Sequence, residues 1–254
     1  MKLATWNVNS LKVRLPHVLD WLATHQPDVL CVQETKLEDH NFPIAEIEAA
    51  GYHAVYTGQR SYNGVALLSR EPITELGVCM PAFDDAHKRV ICGSYQGVRV
   101  ICGYFPNGQS LASDKYQYKL NWLSALQNWL AEELAKYPKL ALLGDYNIAP
   151  EARDVHPDLK GCDVLVSDEV RARFRQLLDL GLTDSFRLFE QVEKSFSWWD
   201  YRMVAFRRNL GMRIDHILLS GPLAAQCKSC VIDRAPRKLE RPSDHAPVIA
   251  EIAL

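Results

Sequence analysis

The chain is 254 residues long, 48% hydrophobic and 24% charged, with a formal net charge of −2. This is enough apolar material to bury a large core, and it reads as one domain over residues 1–254 rather than two. The near-neutral balance excludes a globally basic nucleic-acid binder, so any contact with nucleic acid has to come from a local basic patch or from bound cations.

Extended and helical patterns alternate along the chain. Residues 2–6 read as a strand, and 11–23 as a helix with Leu11, Leu15, Val18, Leu19 and Leu22 on one face. Residues 28–33 form a second buried strand. Shorter extended runs follow at 52–56, 65–69, 73–78, 90–95 and 98–104, punctuated by Gly64, Gly77 and the Gln96-Gly97 turn, which predicts a meander rather than a βαβ series. From Ser113-Asp114 to about Leu134 the period becomes helical, with Asp114 placed to cap and Tyr118, Trp122, Leu126, Trp129 and Leu130 on one face. A strand at 140–143 delivers Asp145 at its end. Residues 149–166 read as the longest loop, of a length more often functional than decorative. Ser167 caps a helix to Leu180, with Asp168 and Glu169 in its first turn, and strands at 195–201, 212–220, 226–233 and 246–252 finish the chain. A faint echo between Ala4-Thr5-Trp6-Asn7-Val8-Asn9 and Leu143-Gly144-Asp145-Tyr146-Asn147-Ile148 suggests two similar halves, each a sheet with helices on its outer side.

The first residues lack the apolar run of a signal peptide, and no segment approaches the roughly 20 apolar residues of a membrane helix. A cytoplasmic, membrane-free protein is the expectation. Seven cysteines, as in Leu30-Cys31-Val32 and Val90-Ile91-Cys92, read as small buried hydrophobes of a reducing compartment. The Cys227–Cys230 spacing has no second Cys/His pair at zinc spacing, and it reads as structural.

Chemistry concentrates where apolar strands end in polar groups: Asn7, Glu34, Asp145 with Asn147, and Asp244 with His245. Glu34 closes the apolar run Asp28-Val29-Leu30-Cys31-Val32-Gln33, where a charge is costly unless paired or metal-bound. Carboxylates with amide oxygens suit Mg²⁺, with Mn²⁺ able to replace it, and argue against a dedicated zinc site. Taken singly, each of these residues also fits a cap or turn role, and only the set as a whole makes a site.

That set resembles the exonuclease III and apurinic/apyrimidinic endonuclease family, within the endonuclease/exonuclease/phosphatase superfamily. The resemblance rests on eight ordered segments: Trp6-Asn7-Val8-Asn9, Gln33-Glu34-Thr35-Lys36, Gly64-Val65-Ala66, Gly103-Tyr104-Phe105-Pro106-Asn107-Gly108, Gly144-Asp145-Tyr146-Asn147-Ile148, Phe196-Ser197-Trp198-Trp199-Asp200-Tyr201-Arg202, Arg213-Ile214-Asp215-His216 and Ser243-Asp244-His245-Ala246-Pro247. It implies an α/β fold, a four-layered α-β-β-α sandwich of two packed, mostly antiparallel mixed sheets flanked by helices. It assigns Glu34 as the main metal ligand with Asn7 beside it, Asp145 and Asn147 to the metal and the attacking water, and Asp244 to a second metal position. His245, held by Asp215, would contact the scissile phosphate, and Tyr104 and Asn107 would donate to phosphate oxygens. Trp198, Met212 and Ile214 would line a small apolar pocket for a base-less sugar flipped from the helix, which rejects a normal nucleotide by size.

Basic residues flank this machinery. Arg202, Arg207, Arg208 and Arg213 follow the aromatic motif, and Arg234, Arg237, Lys238 and Arg241 precede Ser243, which predicts salt-dependent contacts to duplex phosphates. The activity implied is Mg²⁺-dependent hydrolysis 5′ to abasic sites in double-stranded DNA, with removal of 3′ nucleotides and 3′ blocking groups, by a monomer. An alternative keeps the superfamily but changes the substrate to a non-DNA phosphate ester, such as an inositol phosphate or a lipid. It calls for head-group-specific segments that the chain does not show. A catalytically silent DNA-binding protein of this fold would have lost some of the polar set, which is complete here.

Overall fold

The computed structural model describes residues 1–254. Strand β1 (Lys2–Asn7) leads through helix α1 (Leu11–His25) to β2 (Val29–Gln33), which lies parallel to β1. After α2 (Ile44–Ala49) come the antiparallel strands β3 (His53–Thr57) and β4 (Val65–Ser69). Strands β5 (Thr74–Gly77), β6 (Val90–Tyr95) and β7 (Val98–Tyr104) are antiparallel neighbours. Helix α3 (Asp114–Lys136) then returns the chain as β8 (Leu140–Asp145), parallel to β7. The remaining elements are α4 (Asp163–Val166), α5 (Asp168–Asp179), β9 (Leu182–Asp184), β10 (Asp215–Ser220), α6 (Gly221–Ala224), β11 (Cys227–Ile232) and β12 (Val248–Ile252).

The strands form two six-stranded sheets, β11-β12-β1-β2-β4-β3 and β5-β6-β7-β8-β10-β9. Side chains alternate across each strand and so build separate cores on its two faces. Leu3, Val29, Cys31 and Leu67 meet Val100, Cys102, Leu143 and Ile217 between the sheets. Ala4, Trp6, Leu30 and Val32 face outward onto Leu11, Val18 and Trp21 of α1. Ile101, Leu140, Leu142 and Leu218 face outward onto α3 and α5 through Trp122, Leu126, Leu130 and Phe174. The four layers are therefore helix, sheet, sheet, helix.

Several elements differ from the pattern reading. The runs from 52 to 104 are antiparallel, as a meander requires, but on either side of them β1-α1-β2 and β7-α3-β8 are βαβ units, and β2 and β8 show apolar runs buried on both faces. The two sheets share one sequence of pairings, which makes β8 the counterpart of β2 and not of β1. The echo between Asn7 and Asp145 is thus displaced by one strand, and the topological partner of Asp145 is the end of β2, beside Glu34. Residues 195–201 make only isolated bridges, from Trp198 to Met212 and to His245, because the segment threads between these two stretches rather than joining a sheet. Residues 149–166 are not one loop but hold a 3-10 turn (Ala152–Asp154) and α4. The α3 cap is Ser113, whose hydroxyl accepts from the Tyr116 amide, with Asp114 one residue inside. Short α2 and β9 carry too few residues for a period to register.

Candidate active site

The polar residues that end the central strands meet at one edge of the two sheets. β1 and β2 run side by side and end at Asn7 and Gln33, so Glu34 emerges beside Asn7. Across the sandwich, β7, β8 and β10 bring Tyr104, Asp145 and Asp215 into register on adjacent strands. That register depends on Gly144: a Cβ there would lie 1.8 Å from the Gly103 carbonyl oxygen. Glu34 and Asn147 both adopt left-handed backbone conformations, with φ of 53° and 50°. Neither is glycine, and such positions persist where the surroundings over-determine them.

A cleft of 370 Å³ opens over these strand ends. It is lined by Glu34, Tyr104, Asn107, Asp145, Asn147, Trp198, Arg202, Met212, Ile214, Asp244 and His245, while Asn7 and Asp215 lie buried beneath it. A larger hollow of 720 Å³ between residues 152–157 and 186–195 contains none of these groups.

The interior of the cleft is held by a continuous set of hydrogen bonds. Asn7 Nδ2 donates to Glu34 Oε1 at 2.8 Å and to Asp145 Oδ2 at 2.9 Å, and its Oδ1 accepts from the Asn9 amide at 2.9 Å. The backbone donor fixes which end of the amide faces the cleft. In this arrangement the NH₂ group, which offers no lone pair to a cation, bridges the Glu34 and Asp145 carboxylates. His245 Nδ1 meets Asp215 Oδ2 at 2.9 Å, and Nε2 faces Asp145 Oδ2 at 3.7 Å. Asp215 is itself oriented by Ser197, whose hydroxyl donates to it at 2.6 Å and accepts from its amide at 3.1 Å. Asn147 Oδ1 accepts from Asn107 Nδ2 at 3.0 Å, and the Asn147 amide donates to Asp145 Oδ1 at 3.0 Å. Lys119 donates from below to the Asn107, Asn147 and Val164 carbonyls. Burial draws this lysine down to about 7, and the nearby Asp145 carboxylate opposes that shift.

The electrostatics call for a cation. Burial raises Asp145, helped by Asp215 and Glu34, although His245 opposes the shift. Burial lowers His245, but the Asp215 and Asp145 carboxylates outweigh it and hold the imidazole protonated well above its ordinary range. Tyr104 is raised by burial and by Glu34 and Asp145, so it stays a phenol and a donor. Three carboxylates thus share one imidazolium, with Lys36 Nζ at 2.9 Å from Glu34 Oε2 and the buried Lys119 near Asp145 as further cations. Ligand atoms of Glu34, Asp145 and His245 lie within 4.8 Å of one another. Protonated His245 cannot ligate, which leaves two hard carboxylate donors, a set suited to a divalent ion that keeps several waters.

Asp244 lies outside that cluster. Its oxygens accept from Asn9 Nδ2 and Trp198 Nε1, both at 2.9 Å, and these donors with His245 hold it ionised against burial. Trp198 stands half-buried in the cleft wall, whereas Trp199 turns into a separate core with Phe196 and Leu210. Met212 and Ile214 complete the apolar end of the cleft. Arg202 is exposed and paired with Asp200 at 2.6 Å.

Two arginines leave the expected phosphate track. Arg213 is fully buried, bonded to Asp154 at 2.7 Å and Asp184 at 2.8 Å, and Arg237 is buried against the Ser243 and Trp199 carbonyls. Their charges serve the interior. Sequence reasoning assigned no role to Asn9, Ser197 or Lys119. Asn9 and Ser197 stand inside quoted motifs, and Lys119 interrupts the apolar stripe of α3, which was a usable signal.

The Endonuclease/Exonuclease/phosphatase family matches residues 4–245. The chain is 38% identical to exodeoxyribonuclease III of Haemophilus influenzae over 268 aligned residues, covering 99% of each. Among solved structures, the 3′ phosphatase NExo from Neisseria bound to a product DNA hairpin superposes with a TM-score of 0.96 at 46% identity, and an AP endonuclease from Archaeoglobus fulgidus with 0.96 at 38%, each covering 100% of both chains. The chain belongs to the endonuclease/exonuclease/phosphatase family, in its exonuclease III and AP endonuclease branch of metal-dependent nucleases, and is a hydrolase.

Proposed function

We propose that this single-domain chain is a Mg²⁺-dependent DNA-repair nuclease that acts as a monomer in the cytoplasm. It hydrolyses the phosphodiester 5′ to abasic sites in duplex DNA, leaving a 3′-hydroxyl, and removes 3′ nucleotides and 3′ phosphates at the same site. The observation that carries this reading is one cleft with a carboxylate pair and a charged histidine at one end and the Trp198, Met212 and Ile214 wall at the other. No helix is long and apolar enough to cross a membrane.

Glu34, with Asp145 facing it, would hold the metal. When bound, Mg²⁺ supplies charge neutralisation on the non-bridging phosphate oxygens and on the departing 3′ oxygen. Asp145, made more basic by burial, aligns the attacking water and accepts its proton. Asn147, fixed by Asn107, orients that water or a phosphate oxygen. His245 presents a charged Nε2–H to the phosphate while Asp215 fixes its ring, and the Tyr104 phenol donates to a second oxygen. The apolar wall of Trp198, Met212 and Ile214 offers a surface suited to a base-less sugar.

A labelled duplex with one abasic site, read on a gel with Mg²⁺ and with EDTA, tests this. Incision 5′ to the lesion with Mg²⁺ and none with EDTA is the expected outcome. Intact abasic duplex, nicked duplex and 3′-phosphate ends after incubation with Mg²⁺ would overturn the proposal.

A further inference from the structure

Helix α3 carries a lysine where its pattern calls for an apolar residue. Lys119 falls on the stripe of Tyr116, Leu123, Leu126 and Leu130, and it is fully buried. A position needing only packing would carry leucine or methionine, since a buried ammonium is costly unless every donor is paired. Here every donor is paired. The ammonium has three N–H groups, and they reach the carbonyls of Asn107 at 3.1 Å, Asn147 at 2.7 Å and Val164 at 2.9 Å.

These acceptors come from three segments separated in sequence: the loop after β7, the turn after β8, and α4. Each segment presents a different part of the cleft. Asn107 donates its amide to Asn147 Oδ1, and the Asn147 amide donates to Asp145 Oδ1. Val164 lines the same cleft near Leu165 and Met212. Gly108 leaves room for the lysine stem, since a Cβ there would come within 3.3 Å of its Cδ.

We propose that Lys119 is a positioning residue of the nuclease reaction, which holds the Asn107–Asn147 pair and the Val164 wall at one mutual spacing through three backbone carbonyls. It touches neither metal nor substrate. The inference deepens the nuclease reading and rests on it. Removing the ammonium frees three segments at once, and displacements of about 1 Å in such a site cost on the order of 10²-fold in rate.

The test compares wild type, Lys119→Met and Lys119→Arg on an abasic-site duplex and on a 3′-phosphate duplex, with kcat and KM taken separately and each scaled to the folded fraction. Lys119→Met is expected to lose about 10²-fold in kcat per folded molecule on both substrates, with KM changed by less than about threefold. Lys119→Arg keeps the charge and the donors, and it is expected to recover at least about tenfold of that loss. If Lys119→Met does not fold, Lys119→Arg decides alone: a melting temperature near wild type with a kcat reduced about threefold or more, through altered spacing, supports the proposal. A Lys119→Met protein whose kcat per folded molecule matches wild type overturns it, as does a Lys119→Arg protein no more active than a folded Lys119→Met, or, where Lys119→Met does not fold, a Lys119→Arg protein that matches wild type. Wild type inactive on both substrates removes the nuclease reading itself, a result distinct from active variants that merely match an active wild type.

Discussion

Asp145 and Asp215 are both buried carboxylates at strand ends, and their neighbours divide their work. Asp145 faces Glu34 and the cleft, so Asp145→Asn is expected to lower kcat by roughly 10³-fold while leaving the melting temperature near wild type. Steady-state incision with a thermal melt checks it, and near-normal turnover would remove its assignment as base. Asp215 reaches the chemistry only through His245, which it holds charged and oriented. Asp215→Asn is expected to cost roughly 10²–10⁴-fold in kcat, with the Mg²⁺ concentration for half-maximal rate unchanged. A neighbour with the opposite protonation is His216, whose Nε2 donates to the Ile148 carbonyl at 2.9 Å while Nδ1 accepts from Arg213 at 3.0 Å. Burial, then Arg213, lowers it to about 3. The unfolded chain therefore takes up this proton near pH 6.5 and the folded chain does not, so stability falls as pH drops from about 6.5 toward 3, by up to about 4 kcal/mol. Urea unfolding at pH 7.5 and pH 5 is expected to show a steeper loss for wild type than for His216→Gln; equal losses would count against a neutral buried His216. Glu34 was legible from sequence because it closes an apolar run. The Ser197 support of Asp215 was not, since it joins residues 18 apart through side chains alone.

At the scale of elements, the parallel pair β7–β8 sets how closely Tyr104 and Asp145 approach. Gly144→Ala places a methyl group against the Gly103 backbone, and it is expected to destabilise by about 3 kcal/mol or more and to lower activity together with stability. Denaturant unfolding measures this, and a wild-type midpoint would show that the strands can part. The second element is the ionic cluster of Arg213, Asp154 and Asp184, which ties the segment leading into β10, and β9, to the turn at Ala152–Asp154. Read as sequence, Arg213 belongs to a basic run. Its burial follows from carboxylates supplied by distant segments, which no local pattern encodes. The same reason hid the βαβ units, because strand direction depends on pairing partners and not on periodicity.

For the whole molecule, two sheets with one order of pairings bring the ends of β2 and β8 together across the sandwich, so Glu34 and Asp145 share a site though 111 positions apart. Mg²⁺ held between them is expected to raise the melting temperature, by an amount equivalent to about 2.7 kcal/mol at a hundred times its dissociation constant. Differential scanning calorimetry with Mg²⁺ and with EDTA reads this, and Glu34→Ala is expected to abolish the difference. By itself the sequence determined the family, the layered α/β class, the strand ends that carry chemistry and the residue types of the site, because each is written in contiguous motifs and local periodicity. Only the tertiary structure decided that Asn7 presents its NH₂ to the carboxylates, that Arg213 and Arg237 belong to the interior, and that Lys119 lies under the cleft. Each of those depends on partners brought together by folding, and the orientation of a polar side chain is set by the partner it meets.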